Sequence, residues 1–325
     1  MKTHFSINAL AIYIGIISPH TYLQMSSPKI ATVSLTRAIV YMHLAVFLWG
    51  FTGVLGKLIE LPESLLIVYR LSITLPALAV VAFFKKSFFI PSKKQFWALA
   101  GVGVILIVHW ICFYGSIKYS NVTVALSCFS STSIFTALME PLILKRRFRY
   151  DEILFGTVVA AGIVTIFNFE AQFGTGIFLA IGAAITAALM SILNKKLVPD
   201  LPAEGIMFYE MLTGGVFLLA ILPAYLHLFP TQKYFPTSQD WMYLVFFSLV
   251  CTVFAGILSL RSLSRLSPFT LNLSLNLEPV YGIFFAFLLF QEHKGLNTGF
   301  YVGCSIIFLT VVLHGFLKYR EYRKG

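Results

Sequence analysis

Arg70, Glu210 and Glu278 are ionisable side chains inside long apolar runs of this sequence. A charge in hydrocarbon costs at least about 2.5–3.5 kcal/mol, so such groups usually face a bundle interior and meet a partner, an ion or a substrate. Glu278 lies ten residues into its run and is the most deeply placed carboxyl group. It is a candidate proton carrier, or a partner for a substrate amine. A packing glutamate hydrogen-bonded to a neighbouring helix is the equal alternative. Arg70 suits a substrate carboxylate, with snorkelling toward headgroups as the structural alternative. Glu210 suits a gate at the opposite depth. Pro279 follows Glu278 and withdraws the helical donor from the carbonyl of Leu275, which is expected to expose backbone acceptors beside the carboxylate.

The other candidates for a cavity wall are less specific. His109, Trp110 and Tyr114 fall near the middle of one run, where an imidazole can titrate and aromatic faces can cover a cation; a hydrogen-bonded packing histidine is the plainer reading. Trp49 either lines a cavity or packs on the face of Gly50, Gly53 and Gly56. Asn272 and Asn276 share one helical face, Ser274 and Glu278 another, so an unbroken helix cannot aim all four at one point. Ser127, Ser130 and Ser131 form a polar face at helical spacing, more typical of close packing than of binding. Tyr69 and Tyr281 complete the candidates. Glu140, beside Lys145 and Arg146, is explained by a local ion pair. No Walker motif is present, and Cys112, Cys128, Cys251 and Cys304 have no metal-ligand spacing. No cofactor, metal or catalytic residue is expected.

The elements that position these groups follow from composition. Of 325 residues, 58% are apolar and 11% charged, and the mean hydropathy is +0.85. A soluble domain carries about 25% charged residues, so a soluble protein is excluded, and disorder with it. Ten runs reach the roughly 20 residues that a membrane span needs: about 38–58, 64–84, 96–118, 121–144, 151–168, 175–194, 203–227, 240–260, 268–290 and 296–317. The expected fold is an all-α integral membrane protein of ten transmembrane helices. Before them, residues 1–36 hold a short apolar stretch from Ile7 to Ile17 and then Ser18-Pro19-His20. A signal-like segment, an interfacial helix, or a true start at Met25 all remain open, the last being favoured.

The net charge of +11 would suggest nucleic acid in a soluble chain. Here it sorts by side. With the N-terminus inside, one face takes Lys2, Lys29, Arg37, Lys85, Lys86, Lys93, Lys94, Lys145, Arg146, Arg147, Arg149, Lys195, Lys196, Arg261, Arg265, Lys318, Arg320, Arg323 and Lys324. The other face takes only Lys57, Lys118, Lys233 and Lys294. Basic loops stay cytoplasmic, so both termini are expected inside and the membrane expected is the inner or plasma membrane. Nucleic acid falls away as a partner. The lipid bilayer and a small-molecule substrate remain, and a homodimer is left open.

Landmarks repeat along the chain. Leu61-Pro62 and Tyr69 precede Leu201-Pro202 and Tyr209 by 140 positions, Trp97 precedes Trp241 by 144, and Gly156 precedes Gly303 by 147. The halves are residues 37–170 and 171–317, followed by a basic tail, 318–325. Five spans per half is odd, so the second half enters from the opposite side: two inverted five-helix repeats, a recurrent design of secondary transporters with substrate near the midplane. Trp49-Gly50, Tyr69-Arg70, Leu266-Ser267-Pro268, Glu278-Pro279, Glu292 and Gly303 resemble the drug/metabolite transporter superfamily, in particular its EamA-type ten-helix members. The resemblance implies export or exchange of small metabolites, amino acids among them, by alternating access. Against the family pattern, Lys145 stands where Glu292 is expected to have an acidic counterpart. A carrier of larger anions such as nucleotide sugars would need several basic residues in the cavity, and an intramembrane enzyme would need a cluster of Asp, His or metal ligands. The sequence offers neither.

Overall fold

Each apolar run folds as a helix because hydrocarbon leaves its backbone groups no other partner, and polar residues at the loops set the ends. In the computed structural model, which describes residues 33–169, 173–291 and 298–324, the first half holds α1 (Leu35–Leu58), α2 (Glu63–Phe84), α3 (Lys93–Tyr119), α4 (Val122–Leu144) and α5 (Tyr150–Phe169). The second half holds α6 (Gly174–Leu197), α7 (Ala203–Leu228), α8 (Ser238–Leu263), α9 (Pro268–Phe290) and α10 (Thr298–Lys324). Ser34 caps α1 through the Arg37 N–H; Ser92 with Gln95 and Thr237 with Asp240 build capping boxes for α3 and α8. No strand occurs among the described residues. Among the described residues, eight helices, α1–α4 and α6–α9, are long and apolar enough to cross a membrane. Helices α5 and α10 stand where the fifth and tenth spans were expected and pack against each other. Residues 1–32, Glu292 and Lys294 lie outside the described residues, and with them the readings of the N-terminal segment.

The packing is closed under exchange of each helix with the one five places on. Thus α3 lies on α6 as α8 lies on α1, α3 on α7 as α8 on α2, and α4 on α6 as α9 on α1; α2 meets α7, α4 meets α9 and α5 meets α10. The halves interlock rather than sitting side by side. Detail follows the same repeat. Pro62 and Pro202 precede α2 and α7, and Asn121 and Ser267 cap α4 and α9. Lys145 and Gln291 end α4 and α9 in the left-handed region, at φ 53° and 54°. The equivalent of Lys145 is therefore Gln291, not Glu292 as the sequence alignment had it.

Both capped helices are broken in mid-membrane. In α4 the hydroxyls of Ser131 and Thr132 donate back to the carbonyls of Cys128 and Phe129 (2.8 and 2.6 Å), competing with the helical ladder where the chain turns at Ser130-Ser131. In α9, Leu275–Leu277 tighten into a 3₁₀ turn and Glu278 opens a new helical segment. The Glu278 N–H donates to the Leu275 carbonyl. The acceptor that Pro279 was expected to expose is thus taken by a 3₁₀ bond. In α8, Phe247–Phe254 is a π-helical stretch, with the Thr252 hydroxyl donating to the Phe247 carbonyl five residues back (2.9 Å).

Large apolar side chains such as Phe83, Leu142, Phe178, Val216 and Leu309 are exposed. A monomer in water rarely shows so much apolar surface; a bilayer covers it. The four cysteines are unpaired, in keeping with packing.

Candidate functional site

Helices α1–α4 and α6–α9, four from each half, surround a central cavity of about 160 Å³. The polar residues on its wall are Thr52, Arg70, His109, Tyr114, Ser191, Asn194, Glu210, Thr252, Ser259, Asn272 and Glu278; Trp49, Trp110, Phe113, Phe129, Met207 and Met211 supply apolar surface.

Arg70 dominates the electrostatics. Its side chain is 3% exposed. Its guanidinium lies between two aromatic faces, 3.8 Å from the ring centre of Trp110 and 4.1 Å from that of Phe247. Nε donates to Thr252 Oγ1 (2.7 Å) and Nη1 to the Tyr114 hydroxyl. The π-helical stretch of α8 carries Thr252 and Phe247 to this point, and Ser248 ties the two helices by donating to the Arg70 carbonyl (3.2 Å). Snorkelling is therefore not what Arg70 does: aromatic packing holds it in the interior. Among the described residues no carboxylate lies within ion-pair distance of it.

The carboxyl groups occupy other walls. Glu278 accepts from the Thr52 hydroxyl (3.3 Å), which joins α9 to α1. Glu210 lies on the wall with Asn194, and its Oε1 has no donor. No ion pair joins Arg70 and Glu210, as their opposite depths required. The His109 Nδ1 lies 2.9 Å from the Ala183 carbonyl and its ring packs on Phe113 and Phe129, an anchored imidazole that still lines the cavity. Trp49 Nε1 donates to the Cys251 carbonyl (3.0 Å).

Of the residues singled out from sequence, Trp49, Arg70, His109, Trp110, Tyr114, Glu210, Asn272 and Glu278 meet at this cavity. The rest do not. Tyr69 donates to the Tyr234 carbonyl (3.0 Å) at the end of the bundle away from the basic loops. The hydroxyls of Ser127, Ser130 and Ser131 are spent on their own helix, on Thr123, Leu126 and Cys128. Asn276 ties α9 to α4 through Ser133 (3.3 Å), and Tyr281 packs against Gly50 and Phe47. Asn272 does both: it lines the cavity while donating to Thr136 (2.7 Å) and Ser191 (2.6 Å). Thr52, Ser191, Asn194 and Thr252 escaped the sequence reading. Ser191 and Asn194, three residues apart in an apolar run, were a signal that could have found them.

Polar ties brace both ends of the bundle. At the basic end Lys195 donates to the carbonyls of Leu263 and Leu266 (2.6 and 2.9 Å), Arg261 pairs with Glu204, and Glu140 binds both Arg146 (3.0 Å) and the Phe269 N–H (2.9 Å). A second cavity, about 320 Å³, opens there and shares Leu260 with the first. At the other end Lys118 donates to the Ile59 carbonyl (2.7 Å), Lys233 pairs with Glu60, and Tyr225 donates to Glu63.

The sequence model of the EamA-like transporter family matches residues 36–168 and again 174–314. The chain belongs to that family. The two matches coincide with the two interlocked halves, and the EamA-like family lies within the drug/metabolite transporter superfamily. Among relatives, the uncharacterized transporter YetK of Bacillus subtilis (strain 168) is 25% identical over 293 residues, spanning 85% of this chain and 87% of that protein. A probable terminal-alkyne amino-acid exporter of Streptantibioticus cattleyicolor is 24% identical over 161 residues, 49% of this chain and 53% of that protein. A solved crystal structure superposes with a TM-score of 0.66 at 15% identity, covering 87% of this chain and 99% of the other, which supports the fold. The protein is a multi-pass membrane transporter.

Proposed function

We propose that this transporter exports or exchanges small amino-acid-like metabolites by alternating access, from a plasma or inner membrane in which its basic end faces the cytoplasm. One observation carries the reading: Arg70, buried in the central cavity with no carboxylate partner among the described residues. A lone guanidinium in a low-dielectric interior is costly until an anion meets it, and its planar fork matches a carboxylate. Alternating access draws support from the two interlocked repeats, a design recurrent among secondary transporters. The relative named as an amino-acid exporter agrees. Larger phosphorylated anions fit poorly: the cavity is below the 300–1,000 Å³ usual for drug-sized ligands, and among the described residues Arg70 is the single Lys or Arg on its wall. Counterflow into proteoliposomes, run over a panel of amino acids, carboxylates and nucleotide sugars with and without a pH gradient, tests the proposal. Carriage of compact carboxylates is expected. Carriage of nucleotide sugars alone, or of nothing, would refute it.

A further inference from the structure

We propose that Glu210 and Asn194 form an ammonium-binding pole which, opposite Arg70, fixes the direction in which a zwitterion lies in the cavity. This rests on the reading of Arg70 as a carboxylate site. Both residues line the cavity and are buried, at 4% and 5% exposure. Glu210 Oε1 and Asn194 Oδ1 are both buried with no hydrogen-bond partner. A buried acceptor without a donor costs about 1–3 kcal/mol, so two on one wall call for a group that donates more than once. An ammonium has three donors and a charge opposite to that of a carboxylate. The Glu278 carboxyl, by contrast, already accepts from Thr52.

Helix α3 passes both poles. Helices α3 and α7 touch backbone to backbone, Gly103 lying against the Glu210 carbonyl and Gly214 against Gly103 and Ile107. Farther along α3, the Arg70 guanidinium rests on Trp110. From 103 to 110 is seven residues, or about 10 Å along the helix axis at a rise of 1.5 Å each, so the two poles lie at different depths. The carboxylate then points away from the basic end and the ammonium toward it.

The test is counterflow with the full chain in proteoliposomes, using glycine, L-leucine, L-phenylalanine and 6-aminohexanoate, with the N-acetyl derivative of each. N-acetylation removes the ammonium and keeps the carboxylate. We expect at least one amino acid of the panel to compete at least tenfold better than its N-acetyl form, and Glu210→Gln to shrink that ratio below threefold. Asn194→Ala, which keeps the charge, is expected to shrink it in the same direction and guards against a misfolded Glu210 variant. If N-acetyl forms compete as well as their parents in the native chain, or if both variants leave the ratio intact, the ammonium pole is refuted while the carboxylate site stands. If nothing in the panel competes, the carboxylate reading falls with it.

Discussion

Replacing Arg70 by methionine separates a binding role from a structural one, because the two predict opposite outcomes for stability. A structural buried arginine is normally paired, and removing one partner of such a pair costs about 3–5 kcal/mol by stranding the other charge. Arg70→Met strands no carboxylate among the described residues. It loses two hydrogen bonds from a charged donor, to Thr252 and Tyr114, at about 1.5–3 kcal/mol each. Thr252 keeps its bond to the Phe247 carbonyl, and a methionine sulfur can still lie against Trp110 and Phe247. Against the loss stands the relief of a buried charge, several kcal/mol. The two cancel to within about 2 kcal/mol, so the melting temperature of the purified variant in detergent should stay close to that of the parent. Transport should not survive. A carboxylate ligand that loses two charge-assisted bonds gives up about 3–6 kcal/mol, which at 1.4 kcal/mol per decade is at least a hundredfold in apparent affinity. Arg70→Lys keeps the charge but not the fork held between two rings, and should fall between. A steep drop in melting temperature with residual transport unchanged would show that Arg70 is a structural residue and remove the basis for the proposed function.

Three further outcomes follow from the packing. Gly103→Leu puts a side chain into the backbone of α7 at Glu210, and since backbone cannot yield as a side chain can, it should cost more than about 3 kcal/mol and abolish monodisperse elution from a sizing column. Trp49→Phe removes the donor to the Cys251 carbonyl in the π-helical stretch; a loss of about 1 kcal/mol in thermal unfolding is expected, and a neutral result would mean that the stretch does not depend on α1. Glu278→Gln keeps the shape and the Thr52 contact while removing the titratable group; counterflow should persist while the response to an imposed pH gradient is lost, and an unchanged response would reduce Glu278 to a tie between α1 and α9.

The spans were legible because length and hydropathy are nearly sufficient for membrane helices: in hydrocarbon no competing backbone conformation satisfies its own hydrogen bonds. The repeat was legible through Leu61-Pro62 and Leu201-Pro202, whose effect on the chain is local, and Pro62 and Pro202 mark the same corner in the structure; the matching caps Asn121 and Ser267 emerge only there. What escaped depends on packing between distant residues. The run Phe247-Ser248-Leu249-Val250-Cys251 contains no proline or glycine, so nothing in it announces a π-helical turn; that turn is fixed by Thr252 and Ser248 meeting Arg70 on another helix. The serines of α4 looked like a polar face, yet their hydroxyls bond their own carbonyls, a choice that spacing cannot reveal.

The 140-residue offset between Arg70 and Glu210 was legible too, and its consequence comes from the interlocked halves. Equivalent positions in two inverted repeats fall at mirrored depths. Had the repeat carried a like charge at both, the cavity would hold the same sign at its two ends and favour a divalent ion of the other sign. It carries a guanidinium on α2 and a carboxyl on α7, both on the wall of one cavity, so the pseudo-symmetry of the fold is broken by charge. In the alternating access proposed above, a change of packing moves the barrier from one end to the other. It does not exchange the poles, which belong to different halves of the chain. On the proposed reading, a bound zwitterion therefore keeps its orientation through the transport cycle, leaving toward the Arg70 end with its carboxylate first or toward the basic end with its ammonium first.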